Sequence, residues 1–204
     1  ESAPGATGGR HFGSRIVEAS DGTLFLTIGD RGDDTSAQDR SSHNGSIIRI
    51  NRDGSIPPDN PFIGQAGVLP EIWSYGHRNP QGAGFDAQGR LWTAEHGARG
   101  GDEINRISKG ANYGWPVISY GTGYSGRKIG EGTRKAGMEQ PLHYWDPSIA
   151  PSGLIVYAGE MFPEWRGDLF VGSLKFDYIS RLAVSGNTVR EAQQIKAGAT
   201  ERVR

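Results

Sequence analysis

The loop at residues 97–103 contains the residue types that a hard cation requires. Gly97, Gly100 and Gly101 lack a Cβ, so the backbone can approach a ligand closely and turn its carbonyl oxygens outward. Asp102 and Glu103 add two carboxylates, and calcium binds mixtures of carboxylate and backbone oxygens. The loop is therefore a candidate calcium site, although an ordinary glycine-rich hairpin loop with an acidic tip has the same composition.

Short strands must position this loop and its neighbours. Residues 89–94 alternate partly between polar and apolar side chains and follow a turn, as expected of a half-buried strand. Residues 71–75 form a second predicted strand, just ahead of Arg78 and Asn79. The residues suited to chemistry are thus expected on loops at strand ends.

The rest of the chain is predicted to consist of further short strands joined by turns. These strands are residues 15–17, 23–28, 46–50, 154–157, 168–172 and 179–184. The 32 glycines, the 11 prolines and the lack of a long periodic apolar segment favour an all-β protein. Residues 120–140 are glycine-rich and charged, and irregular loops of that length are usually functional or mobile.

A turn-Gly-x-Leu-aromatic pattern occurs three times, which indicates a radial architecture. The copies begin at Asp21, Gln88 and Arg166, 67 and 78 residues apart. Common propeller repeats span roughly 40–50 residues, and long loops would explain the difference. Three copies predict three to four blades.

Composition excludes several classes of partner. Net charge is −1, from 22 basic and 23 acidic residues that are well mixed, so nucleic acid is not an expected partner. The chain has no cysteine, which excludes disulfides and thiolate metal sites. No apolar run approaches the roughly 20 residues of a membrane span, and residues 1–5 are polar, unlike a signal peptide.

Four sequence blocks resemble the soluble glucose/sorbosone dehydrogenase family. They are Arg78-Asn79-Pro80-Gln81-Gly82, Leu91-Trp92-Thr93-Ala94-Glu95-His96-Gly97, Gly100-Gly101-Asp102-Glu103-Ile104-Asn105 and Asn112-Tyr113-Gly114-Trp115-Pro116. The family comprises aldose sugar dehydrogenases that use pyrroloquinoline quinone (PQQ) and calcium on a six-bladed β-propeller. Four blocks in order are more specific than a single glycine motif. The resemblance implies that residues 1–204 are one partial propeller domain, with blades missing upstream and downstream, and that this piece alone has little or no activity.

The resemblance also implies roles for individual residues. His11 matches the catalytic general base, and Asp30 matches the carboxylate that orients it. The positions that match cofactor-binding residues are Arg78, Asn79, Tyr124, Lys175, Arg202 and Arg204. The positions that match calcium ligands are Gly97 and Ala98, through their carbonyls beside PQQ, and Glu103 and Tyr113, at a second, structural site.

The function implied is oxidation of the C1 hydroxyl of an aldose sugar to a lactone, with hydride transfer to PQQ. The partners would be the sugar and an electron acceptor of unknown identity, and the location would be periplasmic or secreted. One alternative is a non-catalytic propeller that binds carbohydrate or protein, and the presence of His11, Arg78 and Lys175 disfavours it. A second is a calcium-stabilised, lactonase-like hydrolase, which the basic residues fit less well than an anionic cofactor.

Overall fold

The computed structural model describes residues 9–196, 198 and 202–203. Within these residues the chain forms three four-stranded antiparallel sheets and two short 3-10 helices, Asp34–Gln38 and Pro163–Trp165. The strands are β1 (Ile16–Glu18), β2 (Leu24–Ile28), β3 (Ser46–Ile50) and β4 (Ile72–Tyr75) in the first sheet; β5 (Pro80–Phe85), β6 (Leu91–Glu95), β7 (Asp102–Ile107) and β8 (His143–Trp145) in the second; and β9 (Pro151–Val156), β10 (Leu169–Ser173), β11 (Tyr178–Ser185) and β12 (Thr188–Ile195) in the third. In this part of the chain, no helix is both long and apolar enough to cross a membrane.

Each sheet is a meander, in which strands that follow one another in sequence are hydrogen-bonded neighbours. The sheets are three consecutive blades of a partial β-propeller, so the all-β propeller prediction is confirmed, and every predicted strand overlaps an observed one. The expectation for Asp102 and Glu103 was wrong: they begin β7 instead of forming a loop tip, because Glu103 pairs with Glu95 of β6.

Apolar side chains from neighbouring blades interlock to form the core. One cluster joins the first and second blades and includes Phe25, Ile47 and Leu91. A larger cluster joins the second and third blades and includes Trp92 and Leu169. Because β6 is buried along its whole length, it carries no polar, solvent-facing stripe and its alternation in sequence is only partial.

The first strands of the blades lie closest to one another. A Cβ on Gly82 of β5 would lie 2.6 Å from the backbone nitrogen of Leu154 in β9, so only glycine fits there. Since adjacent strands are antiparallel, β1, β5 and β9 begin at the end of the sheets where β2, β6 and β10 stop. We call this end the site end, because the predicted site residues lie on the segments that meet there.

Candidate active site

His11 and Asp30 form a close imidazole-carboxylate pair at the site end. His11 Nδ1 lies 2.5 Å from Asp30 Oδ1; the His11 side chain is 14% exposed and that of Asp30 is fully buried. An ionised carboxylate can only accept a hydrogen bond, so this contact places the proton of a neutral imidazole on Nδ1. The lone pair of His11 Nε2 then remains for a substrate.

The backbone around His11 holds the ring in place. His11 has φ +60°, in the left-handed region that non-glycine residues seldom adopt. Its carbonyl accepts a 2.8 Å hydrogen bond from Arg31 Nη1, and a Cβ on Gly29 would lie 2.2 Å from the same oxygen. Gly29 is therefore the residue that lets the segment before β1 lie against the end of β2.

Trp115 connects this pair to Arg78. Asp30 Oδ2 accepts a 2.8 Å hydrogen bond from Trp115 Nε1, and the Arg78 guanidinium lies 5.1 Å from the centre of the Trp115 ring. The Asp30 amide also donates to the Arg78 carbonyl at 2.9 Å. The first and second blades thus share one hydrogen-bonded unit.

Arg78 reaches the loop that follows β6. Its Nη1 donates to the carbonyl of Gly97 and, at 3.2 Å, to that of His96. Its backbone N–H donates to Glu95 Oε2 at 3.1 Å, while its Nε is buried with no hydrogen-bond partner among the described residues. An unsatisfied buried guanidinium N–H is costly in the absence of a ligand.

Asn79 holds the segment before β1 against the second blade. Its Oδ1 accepts a 2.8 Å hydrogen bond from the Gly13 amide, and its carbonyl accepts one of 3.1 Å from the His96 amide. The acceptor of the Asn79 side chain is therefore engaged within the protein.

The Asp102 carboxylate holds the Gly97 loop in place through hydrogen bonds. Its Oδ1 accepts a 2.8 Å hydrogen bond from the Gly97 amide. Its Oδ2 accepts from Ser148 Oγ at 2.6 Å, the Ile149 amide at 2.8 Å and the Ala150 amide at 2.9 Å. With four protein donors on its two oxygens, this carboxylate joins the Gly97 loop to the segment before β9 and is not turned toward a cation.

A cleft of about 550 Å³ brings together three of the predicted site residues. Ala98, Tyr124 and Lys175 line it, together with Arg99 and Asp146. Tyr124 is 71% exposed, and Lys175, in the turn between β10 and β11, is exposed as well. The cleft thus lies between the Gly97 loop and the third blade.

Of the two predicted terminal arginines, the structure describes only Arg202, and it does not line this cleft. The Arg202 amide donates to Asp177 Oδ1 at 2.8 Å, and Arg202 is not among the described residues that line the cleft. Arg204 lies outside the described residues.

A smaller cavity, of about 20 Å³, contains the predicted second calcium site. Glu95, Glu103 and Tyr113 line it, and Asn105 Nδ2 donates to Glu95 Oε1 at 2.8 Å and to Glu103 Oε2 at 3.1 Å. Burial, followed by the charge of Glu95, raises the pKa of Glu103 to about 8. Two acidic groups that share one amide repel each other, and a cation between them would relieve that repulsion, so this donor set fits calcium.

The Tyr113 hydroxyl is committed to the protein. It donates to the Arg106 carbonyl at 2.7 Å and accepts from the Ser108 amide at 2.8 Å, and burial raises the pKa of the phenol. The backbone carbonyl is therefore the group that Tyr113 could offer to a cation. In the described part of the chain, no three His, Cys, Asp or Glu side chains form a metal-binding group.

Sequence reasoning missed two residues of the site. Glu95 and Trp115 both lie inside the resembling blocks, where they were noted as motif letters without a role. For Glu95 the signal was an acidic residue at the end of a buried strand, since charged residues are rarely buried without partners. For Trp115 no local signal exists, because its partner lies 85 residues away.

The fold and site define a β-propeller in which an imidazole-carboxylate pair, an arginine and a glycine-rich loop converge at one end of adjacent blades. The family described as Glucose / Sorbosone dehydrogenase matches residues 1–204. The chain belongs to that family.

Individual relatives agree with this membership. Aldose sugar dehydrogenase YliI of Escherichia coli is 44% identical over 204 residues, covering 98% of this chain and 55% of the relative. A crystal structure of a glucose dehydrogenase matches with a TM-score of 0.92 and 44% identity, over 96% of this chain and 57% of that one. The PQQ-bound aldose sugar dehydrogenase of Streptomyces coelicolor matches with a TM-score of 0.77 and 33% identity, over 97% and 52%. The chain thus spans about half the length of these relatives.

Proposed function

We propose that the intact protein carrying this chain is a PQQ- and calcium-dependent dehydrogenase that oxidises the C1 hydroxyl of aldose sugars to the lactone. Membership of a sugar dehydrogenase family supports oxidation of a sugar, and the site supports this finer assignment. The proposal rests on one continuous series of contacts. It runs from His11 to Asp30, from Asp30 to Trp115, and from Trp115 through Arg78 to the Gly97 carbonyl.

His11 is the proposed general base. Asp30 binds Nδ1 and fixes the tautomer, so Nε2 takes the proton of the anomeric hydroxyl as the C1–H bond breaks and the C1 carbonyl forms. The buried, multiply hydrogen-bonded Asp30 also stabilises the imidazolium that results. The imidazole then returns this proton to solvent or to the acceptor.

The residues of the site end fit an anionic quinone held beside a divalent ion. Arg78, with its unpartnered buried Nε, and the exposed Lys175 would bind carboxylate or quinone oxygens, and Tyr124 would line the cleft. The carbonyls of Gly97 and Ala98 would hold the calcium ion, the Gly97 oxygen through the lone pair that Arg78 Nη1 does not use. When bound, PQQ supplies the two-electron oxidant that accepts the C1 hydride, and the ion polarises its carbonyl.

The remaining predicted positions would act around the cofactor or at the second calcium site. Asn79 would act by fixing the segment that bears His11. Arg202 and Arg204 remain cofactor-binding proposals based on the resemblance alone. Glu103 and Tyr113 would hold a second calcium in the small cavity. From the family resemblance we also propose that the protein acts in the periplasm or is secreted, and that it passes electrons to a separate acceptor.

The test is reconstitution of the intact protein with PQQ and calcium, followed by dye reduction with several aldoses. His11→Ala is expected to retain PQQ binding, measured by absorbance titration, and to lose about 10²–10⁴-fold in kcat, the usual contribution of a general base. The matched control is His43→Ala, which removes a histidine paired with Glu71 beside β4, the outermost strand of the first blade. Its kcat should equal that of the wild type.

Two results would overturn the proposal. Wild-type protein that neither reduces the dye nor changes the PQQ absorbance is not a PQQ-dependent dehydrogenase. Equal turnover in His11→Ala and wild type would show that another group removes the proton.

A further inference from the structure

We infer that Trp115 is a positioning residue. Its indole N–H holds the Asp30 carboxylate and its ring packs against the Arg78 guanidinium, so the general base and the cofactor-binding arginine keep a fixed distance and orientation to each other. This inference rests on the proposed function. It assigns a role to a side chain that contacts both halves of the site from the long connection between β7 and β8 of the second blade.

The contacts of the Trp115 side chain and backbone are separate. The side chain contacts Asp30 and Arg78. The backbone is fixed independently, because its amide donates to the Gly76 carbonyl at 2.9 Å and its carbonyl accepts from Gln38 Nε2 at 2.7 Å. Replacing the side chain should therefore leave the path of this segment unchanged.

The indole N–H and the indole ring of Trp115 make different contacts, so their loss has different effects. Without the N–H, Asp30 Oδ2 loses its Trp115 donor, and Oδ1 keeps His11 and the Gly32 amide at 2.7 Å. A carboxylate with one donor fewer is more basic and pulls harder on the His11 N–H. Without the ring, the Arg78 guanidinium loses an aromatic face of the kind that favours a cation.

The same chain contains a matched control. Trp92 Nε1 donates to Asp86 Oδ2 at 2.8 Å, and the guanidinium groups of Arg90 and Arg106 lie 5.8 and 5.9 Å from its ring centre. Trp92→Phe thus removes the same kind of indole-carboxylate hydrogen bond and leaves the same kind of ring beside arginine. Asp86 lies after β5, at the end of the blade opposite the site end.

The experiment compares Trp115→Phe with Trp92→Phe in the intact protein. The first readout needs no activity: it is the downfield proton resonance of His11 Nδ1–H, assigned by its loss in His11→Ala. Trp115→Phe should move this resonance downfield, and Trp92→Phe should leave it in place.

The second readout is the kinetics of the protein loaded with PQQ. Trp115→Phe should lower kcat roughly tenfold to a hundredfold, because without this charge-assisted hydrogen bond Asp30 and the attached His11 ring lose their fixed position, and this outweighs the gain in basicity; KM for the aldose should stay within about twofold. Trp115→Leu, which also removes the ring, should in addition weaken PQQ binding. If Trp115→Phe fails to fold, benzothienylalanine at position 115, which keeps the indole shape and lacks only the N–H, replaces it.

The outcomes separate this inference from the proposed function. An unmoved His11 resonance in Trp115→Phe overturns the inference, as does an equal fall in kcat for Trp115→Phe and Trp92→Phe. Wild-type protein that reduces no dye overturns the proposed function, while the resonance comparison still decides whether Trp115 acts on the His11-Asp30 pair.

Discussion

Replacing Asp102 tests whether one carboxylate joins the Gly97 loop to the third blade. Asp102→Ala leaves the buried Gly97 and Ile149 amides and the part-buried Ser148 hydroxyl without this acceptor, while the Ala150 amide keeps Ser148 Oγ at 3.2 Å, and each buried donor left unsatisfied costs about 1–3 kcal/mol. Asp102→Asn keeps one acceptor oxygen, which can serve the three donors around Ser148, and turns its amide nitrogen toward the Gly97 amide. We expect the free energy of unfolding to fall by about 4 kcal/mol for Asp102→Ala and about 2 kcal/mol for Asp102→Asn.

The assay is urea unfolding of the intact protein, followed by fluorescence, with midpoint and slope fitted separately. Glu160→Ala is the control, because the Glu160 side chain is 94% exposed and should change stability by less than about 0.5 kcal/mol. A loss below about 1 kcal/mol in Asp102→Ala would refute the reasoning, since it would mean that these donors find other partners without cost.

Two further predictions follow from contacts near β2 and β5. Gly29→Ala places a Cβ on the His11 carbonyl and should lower kcat at least about tenfold in the dye-reduction assay, with PQQ affinity retained; unchanged turnover would contradict it. Burial raises the pKa of Asp86, but hydrogen bonds from Trp92 and Arg90 outweigh it, so the pKa is lowered. The ionised group therefore contributes its full stabilisation above the pKa of about 3.9 that an unfolded aspartate has. The stability difference between wild type and Asp86→Asn in urea should begin to shrink as pH falls below about 4 and vanish below the lowered folded-state pKa; a constant difference would contradict this.

The sequence predicted eight of the twelve strands and missed β5, β7, β8 and β12. Strands with branched or aromatic side chains next to Asp-Gly or Gln-Gly turns, such as β2 and β6, were found because local propensity and turn chemistry agree there. β5 was missed because it is rich in glycine. It is a strand because it pairs with β6, and its glycines are needed because β9 packs so closely that a side chain at Gly82 has no room; both are tertiary effects.

For the site, the resemblance identified which residues to examine, and the structure showed how they are arranged. His11 and Asp30 were paired in advance, and they are 2.5 Å apart. The role of Asp102 was misread, because a carboxylate beside glycines has the same appearance in sequence whether it binds a cation or backbone amides. Trp115 could not be paired with Asp30, because nothing local to either residue specifies a contact across two blades.

The convergence of several blades at one end has a consequence for the opposite end. There the tight turns contain Gly89, between β5 and β6, and Gly186, between β11 and β12, and both glycines face open space. A fluorophore, a tether to an electrode or a few inserted residues at these positions would leave the His11 and Arg78 surroundings undisturbed. These turns are therefore suitable attachment sites, because a protein attached through them has its site end directed away from the point of attachment.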